Sequence, residues 1–152
     1  MRFVLSLLLL LVAAPLGPSA LSAGTPAIES PAKGTDLRKQ LLDAARAVFE
    51  RELGAPVEFV VTTLNVIDGW GNVKPQRPGG APIDWRRTKF ADAFKDGIFE
   101  AEISLFLLQK TTDGWQLVEY AIGPTDVAWL PWREQRTLPY ELFGASPGDF
   151  TE

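Results

Sequence analysis

Between Thr35 and Gly54 the chain places Leu37, Leu41, Ala44, Ala45, Val48 and Phe49 at intervals of three and four residues. Arg38, Lys39, Asp43, Arg46, Glu50 and Arg51 fall on the opposite side. That period marks one buried stripe on an amphipathic helix. Thr35 or Asp36 can cap its start, and Gly54 followed by Pro56 stops it after Leu53. A lone helix of this length is marginal in water, so the stripe needs an apolar surface supplied by the rest of the chain. This requirement constrains the fold more than any other feature of the sequence.

The chain beyond the helix is rich in strand formers. Val57 to Ile67 is β-branched and aromatic, with apolar residues on both of its sides, which implies cover on both faces or a bulge that switches its facing. Asp68-Gly69 is a hairpin turn, and Trp70 to Lys74 returns as a short second strand. Pro75 to Pro82 reads as a loop, because proline removes a ladder donor. Ile83-Asp84-Trp85 docks that loop, and Thr88 to Lys95 predicts a short helix with Phe90 and Phe94 one turn apart. Ile98 to Lys110 is the longest strand candidate; it turns at Asp113-Gly114, and Trp115 to Ile122 pairs back before Gly123-Pro124. Pro131 to Arg136 and Pro139 to Phe143 are two further short helical segments. Three of the five tryptophans, Trp115, Trp129 and Trp132, lie between Thr112 and Arg136, where sheet, tail and any pocket should meet. The order predicts an α+β domain: one long N-terminal helix packed on a curved antiparallel sheet of about four strands.

The first residues predict a destination. Met1-Arg2, an apolar run from Phe3 to Ala14, and small residues around Ala20 and Ala23 form the pattern of a secretory signal peptide. The run is shorter than the roughly 20 apolar residues that span a bilayer, so no membrane span is expected after cleavage. Cleavage after Ala23 is the first choice and after Ala20 the second. Residues 24–34 read as a flexible leader, 35–144 as a single domain, and 145–152 as a frayed tail. The expected location is the periplasm or the exterior.

Composition excludes several chemistries. There is no His and no Cys, which removes Ser-His-Asp and Cys-His catalysis, and disulfides with them. A zinc site would have to use carboxylates alone, and no Gly-rich phosphate loop or Asp-rich calcium loop is present. No metal or cofactor is therefore expected. With a formal net charge of -4 and scattered cations, the chain has no footprint for nucleic acid or anionic lipid.

The element order resembles the cystatin-like group of folds, which includes the cone-shaped nuclear-transport-factor-like proteins. Cystatin inhibitors carry Gln-x-Val-x-Gly; Gln116-Leu117-Val118-Glu119-Tyr120 lacks the glycine, so no inhibitor residues carry over. A closer likeness covers Thr35 to Phe143. It rests on Pro56-Val57-Glu58-Phe59-Val60-Val61, Trp70, Asp113-Gly114-Trp115, and Ile122-Gly123-Pro124-Thr125-Asp126-Val127. As a set these residues resemble a group of small exported bacterial proteins, a likeness that implies the domain limits and export and supplies no mechanism. Gly71-Asn72 comes after Trp70 where that pattern expects small and aromatic residues.

Two functional readings stand at this point. In the first, the protein is a non-catalytic envelope module, monomeric or weakly dimeric, which binds a small molecule or an envelope protein. Its surface lies where the Pro75 to Trp85 loop meets Trp70, Tyr120, Asp126 and Trp129. In the second, which the fold likeness implies, a cavity enzyme of the isomerase or dehydratase kind sets Asp126 or Asp84 as base beside Tyr120 as donor. A turn or cap role for Asp126 and a core-closing role for Trp129 compete with both.

Overall fold

The computed structural model describes residues 27–79 and 83–150; the expected signal peptide and its cleavage site lie outside the described residues. At the start of the amphipathic stretch, the Thr35 hydroxyl accepts the Arg38 backbone N–H at 3.3 Å. At its end, Gly54 takes a left-handed φ of 73° and donates its N–H to Glu50 C=O at 2.7 Å. These caps bound α1 (Asp36–Leu53), which buries Leu41, Ala45, Val48 and Phe49.

The surface that receives this stripe is one antiparallel sheet in the order β1-β2-β3-β4, formed by β1 (Glu58–Ile67), β2 (Trp70–Gly79), β3 (Ser104–Thr111) and β4 (Gly114–Ile122). Two smaller helices, α2 (Ala91–Lys95) and α3 (Leu130–Arg136), complete an α+β architecture. Each strand alternates its side chains across the sheet. Leu64, Val73 and Phe106 therefore form one cross-strand row under α1. Phe49 meets Phe59 edge-on at 5.5 Å and Phe106 at 6.0 Å, in a layer where each fully buried large side chain contributes about 1.5–3 kcal/mol. Gly71 sets the closeness of helix and sheet: a Cβ there would stand 2.7 Å from Leu41 Cδ2 and 3.3 Å from the Trp115 ring. The glycine that departs from the expected pattern after Trp70 is thus where α1 settles onto β2.

The other face is covered by the tail. Ile67, Leu105 and Leu107 pack with Trp129, Leu138, Leu142 and Phe143. Trp129 stacks on Phe143 at 4.7 Å, and Phe150 meets it edge-on at 5.3 Å. Both faces of the sheet are covered, and the β1–β2 register shifts between Val60 and Thr63. The doubly apolar character of Val57 to Ile67 reflects both.

Three stretches differ from their sequence reading. The segment read as a loop from Pro75 continues β2 to Gly79, with Val61 opposite Pro75 and Phe59 opposite Pro78. It can do so because β2 pairs with β3 only from Trp70 to Val73, so beyond that point its far side is an open edge that needs no donors. β3 begins at Ser104 rather than Ile98. Before it the chain turns, with Ile103 donating to Glu100 C=O and Glu100 to Gly123 C=O, and the Phe99 ring lies over Gly123. A Cβ at Gly123 would fall 2.1 Å from that ring, so the missing side chain makes the seat for Phe99. Phe99 then joins Trp85 at 4.7 Å, Phe90 at 5.3 Å and Phe94 at 6.3 Å. Finally, part of the expected leader is paired: Glu29 and Val66 exchange backbone hydrogen bonds of 2.9 and 2.8 Å on the outer edge of β1. Ser30 donates to Asn65, and Pro31 is buried with its carbonyl held by Arg38.

Candidate functional site

The five residues singled out from the sequence separate across the sheet. Trp85 is 7% exposed within the helix-side core. Tyr120 lies on that same side, stacked over Phe106 at 6.5 Å and 38% exposed at the rim. Trp129 is 6% exposed inside the tail-side core, where its indole closes packing rather than facing outward. Trp70 is half-buried and also packs on the tail side. Asp126 is exposed in the turn after β4. Of the five, Trp70 and Trp129 alone share a core cluster.

The carboxylates weighed as bases lack enclosure. Asp84 is exposed, and its Oδ1 accepts the Arg86 N–H at 3.3 Å as the cap of a short 3-10 turn. No desolvated Asp stands beside Tyr120 among the described residues, so these side chains do not assemble the isomerase-type pair. The described residues also contain no cluster of three or more carboxylates that could hold a metal ion.

A different constellation forms around Trp70. The β1–β2 turn and the C-terminal end of α3 flank an open pocket of about 440 Å³, lined by Ile67, Asp68, Trp70, Arg133 and Arg136 together with Thr137, Leu138 and Pro139. Arg133 and Arg136 are three apart on α3 and so project to one side. The Arg136 guanidinium lies 6.0 Å from the Trp70 ring and donates to Glu119 on β4 at 2.7 Å. The Arg133 guanidinium lies 3.7 Å from the Tyr140 ring centre. Its Nε is buried without a hydrogen-bond partner, and no carboxylate among the described residues pairs with it. Arg136 is thus paired with a carboxylate, whereas Arg133 has no such partner among the described residues.

Backbone strain gathers in the same place. Among the described residues, the non-glycine positions with positive φ are Asp68 at 45° and Thr137 at 52°, and both line this pocket. Asp tolerates that region in a hairpin turn, but a β-branched residue there is a genuine outlier. At Thr137 the conformation closes α3: its N–H caps the carbonyls of Arg133 and Glu134. Two residues along β2 from Trp70, on the same face, Asn72 is 0% exposed and neither atom of its amide has a hydrogen-bond partner. Its neighbour in the row, Asn65, is satisfied by donating to Glu141 C=O at 3.0 Å.

A second depression, of about 320 Å³, lies at the start of α1 and involves Arg38, Lys39, Asp43 and Arg46. There Asp43 pairs with both Lys39 and Arg46, while Arg38 donates to Pro31 C=O. The hydrogen bond from Lys39 holds the Asp43 carboxyl below its ordinary range against a partial desolvation, with Coulombic help from Lys39 and added hydrogen bonding and attraction from Arg46.

No protein-family model, curated protein or solved structure matches the chain. Sequence reasoning found Trp70 but missed Arg133, Arg136 and Thr137. The signal available was the spacing of the two arginines in the helix opened by Pro131. Their approach to Trp70 depends on the tail folding over the second face of the sheet, and no local pattern records that.

Proposed function

We propose that the protein is an exported, non-catalytic binding module with a cystatin-like or nuclear-transport-factor-like arrangement, of the small exported bacterial kind. Its ligand seat is the pocket between the Asp68-Gly69 turn and the end of α3. The observation that carries this reading is the convergence of Trp70, an uncompensated Arg133 and the strained Thr137 on one concave surface. Concave sites that pair an aromatic wall with a few placed polar groups are the usual form of small-ligand seats. Strain retained at such a place is consistent with a binding role. Among the described residues no helix is long and apolar enough to cross a membrane.

The experiment is a thermal-shift screen of the purified protein against small envelope metabolites and short peptides, since a bound species raises stability by mass action. Compounds that raise the melting temperature should lose that effect in the Trp70→Ala and Arg133→Ala variants. Hits that keep their full effect in both variants would place the ligand elsewhere and remove the proposal.

A further inference from the structure

We infer that the pocket beside Trp70 takes a singly charged carboxylate carried on a flat apolar body, with Arg133 as its anion contact. This rests on the pocket being the ligand seat. Three observations narrow the ligand from "anything that fits" to that class.

The first is charge. Two cations line the pocket, but Glu119 already neutralises Arg136 at 2.7 Å, and Asp68 sits at the rim. Among the described residues the Arg133 guanidinium alone of the two has no carboxylate within ion-pair distance, so it is the group left to pair with a single negative charge. A dianionic phosphate would bring a second charge towards Asp68 and Glu119, where it is repelled.

The second is shape. Arg133 rests on the Tyr140 ring at 3.7 Å, which fixes the plane of its fork before any ligand arrives. A planar, pre-set guanidinium matches the two oxygens of a carboxylate through paired N–H donors. The third is the apolar part of the lining: Trp70, Ile67 and Leu138 present apolar and aromatic surface to whatever the carboxylate is attached to. A ring laid on the Trp70 indole gains area burial and stacking together. The volume of about 440 Å³ accommodates one bicyclic acid.

The test uses indole-3-acetate, its neutral amide indole-3-acetamide, and inorganic phosphate, each titrated into the full-length protein by calorimetry at low salt. The acid should bind at least about tenfold more tightly than the amide, and phosphate should give no heat. Arg133→Gln should erase the difference between acid and amide while amide binding persists. Arg133→Lys, which keeps the charge but loses the fork, should restore part of it. Trp70→Ala should weaken acid and amide alike. Melting curves for each variant show whether it remains folded.

Equal affinity for acid and amide, with both still lost in Trp70→Ala, would overturn the carboxylate assignment and leave the pocket standing as the seat. Phosphate binding tighter than the acid would overturn it as well. Acid binding that survives both Trp70→Ala and Arg133→Gln would overturn the assignment and the seat together, as would absence of binding by acid and amide at millimolar concentration.

Discussion

The two faces of the sheet are built to different standards. Under α1 the packing is almost wholly apolar: Phe49, Phe59 and Phe106 interlock, and a second ring cluster around Trp85 and Phe99 closes one end. The one buried orphan there is Trp115 Nε1, among the described residues. Under the tail, apolar packing around Trp129 and Phe143 coexists with an unpaired Asn72 amide, an unpaired Arg133 Nε and a threonine in the left-handed region. A polar group buried without a partner costs on the order of 1–3 kcal/mol. The difference teaches that the helix side is the more uniformly apolar layer, while the tail side carries most of the buried polar atoms without partners among the described residues.

This contrast can be broken by measurement. The largest effect should come from Phe49→Ala, which opens a cavity in the helix-side core and should cost about 3–5 kcal/mol in denaturant unfolding. Leu138→Ala on the tail side should cost only about 2 kcal/mol, because the pocket already lies beside it. A reversed order of those two costs would break the comparison outright.

Next comes Asn72→Leu, which exchanges an unsatisfied amide for an apolar group of similar shape. It should stabilise the protein by about 1–3 kcal/mol. A loss of stability in that variant would show the amide to be engaged in solution and would bring the two faces closer in character. Thr137→Gly should stabilise by about 0.5–1 kcal/mol in the same assay, since glycine adopts a φ of 52° without steric cost. An unchanged or lower midpoint would mean that Thr137 is not strained.

The smallest effect concerns the helix side's own surface. Asp43 is 44% exposed, so its pairing with Lys39 and Arg46 contributes at most a few tenths of a kcal/mol. Its folded carboxyl is depressed below the unfolded value, so the contribution is full above the ordinary carboxylate range and vanishes as pH falls through the folded value. Asp43→Asn should therefore differ slightly from wild type at neutral pH and coincide with it in strong acid. A difference that grew on acidification would contradict the assignment.

Much of the fold was legible because it is locally coded. Thr35, Gly54, Asp68-Gly69 and Asp113-Gly114 mark a helix and two hairpins, and each residue does so through its own backbone preference. The extension of β2 through Pro75 and Pro78 was not legible, because whether a proline is tolerated depends on which side of the strand is an edge. Phe99 misled in the same way: its alternation with Ala101 and Ile103 reads as strand, but its ring is fixed by Gly123, far along the chain. The site was least legible. Trp70 attracted attention as a large aromatic side chain, yet Trp85, Tyr120 and Trp129 did so too and belong to cores or to the opposite face. Residue type alone cannot separate an indole that closes a core from one that walls a pocket.

The narrow join between β2 and β3 has a mechanical consequence. The sheet consists of two local hairpins sewn together along the short stretch from Gly69 to Val73, so amide hydrogens along that seam should exchange with solvent as soon as the halves part. Trp70 belongs to one hairpin, and Glu119, through Arg136, ties the end of α3 to the other. A molecule gripped between them would act as a rivet across the seam, slowing that exchange well beyond the residues it touches.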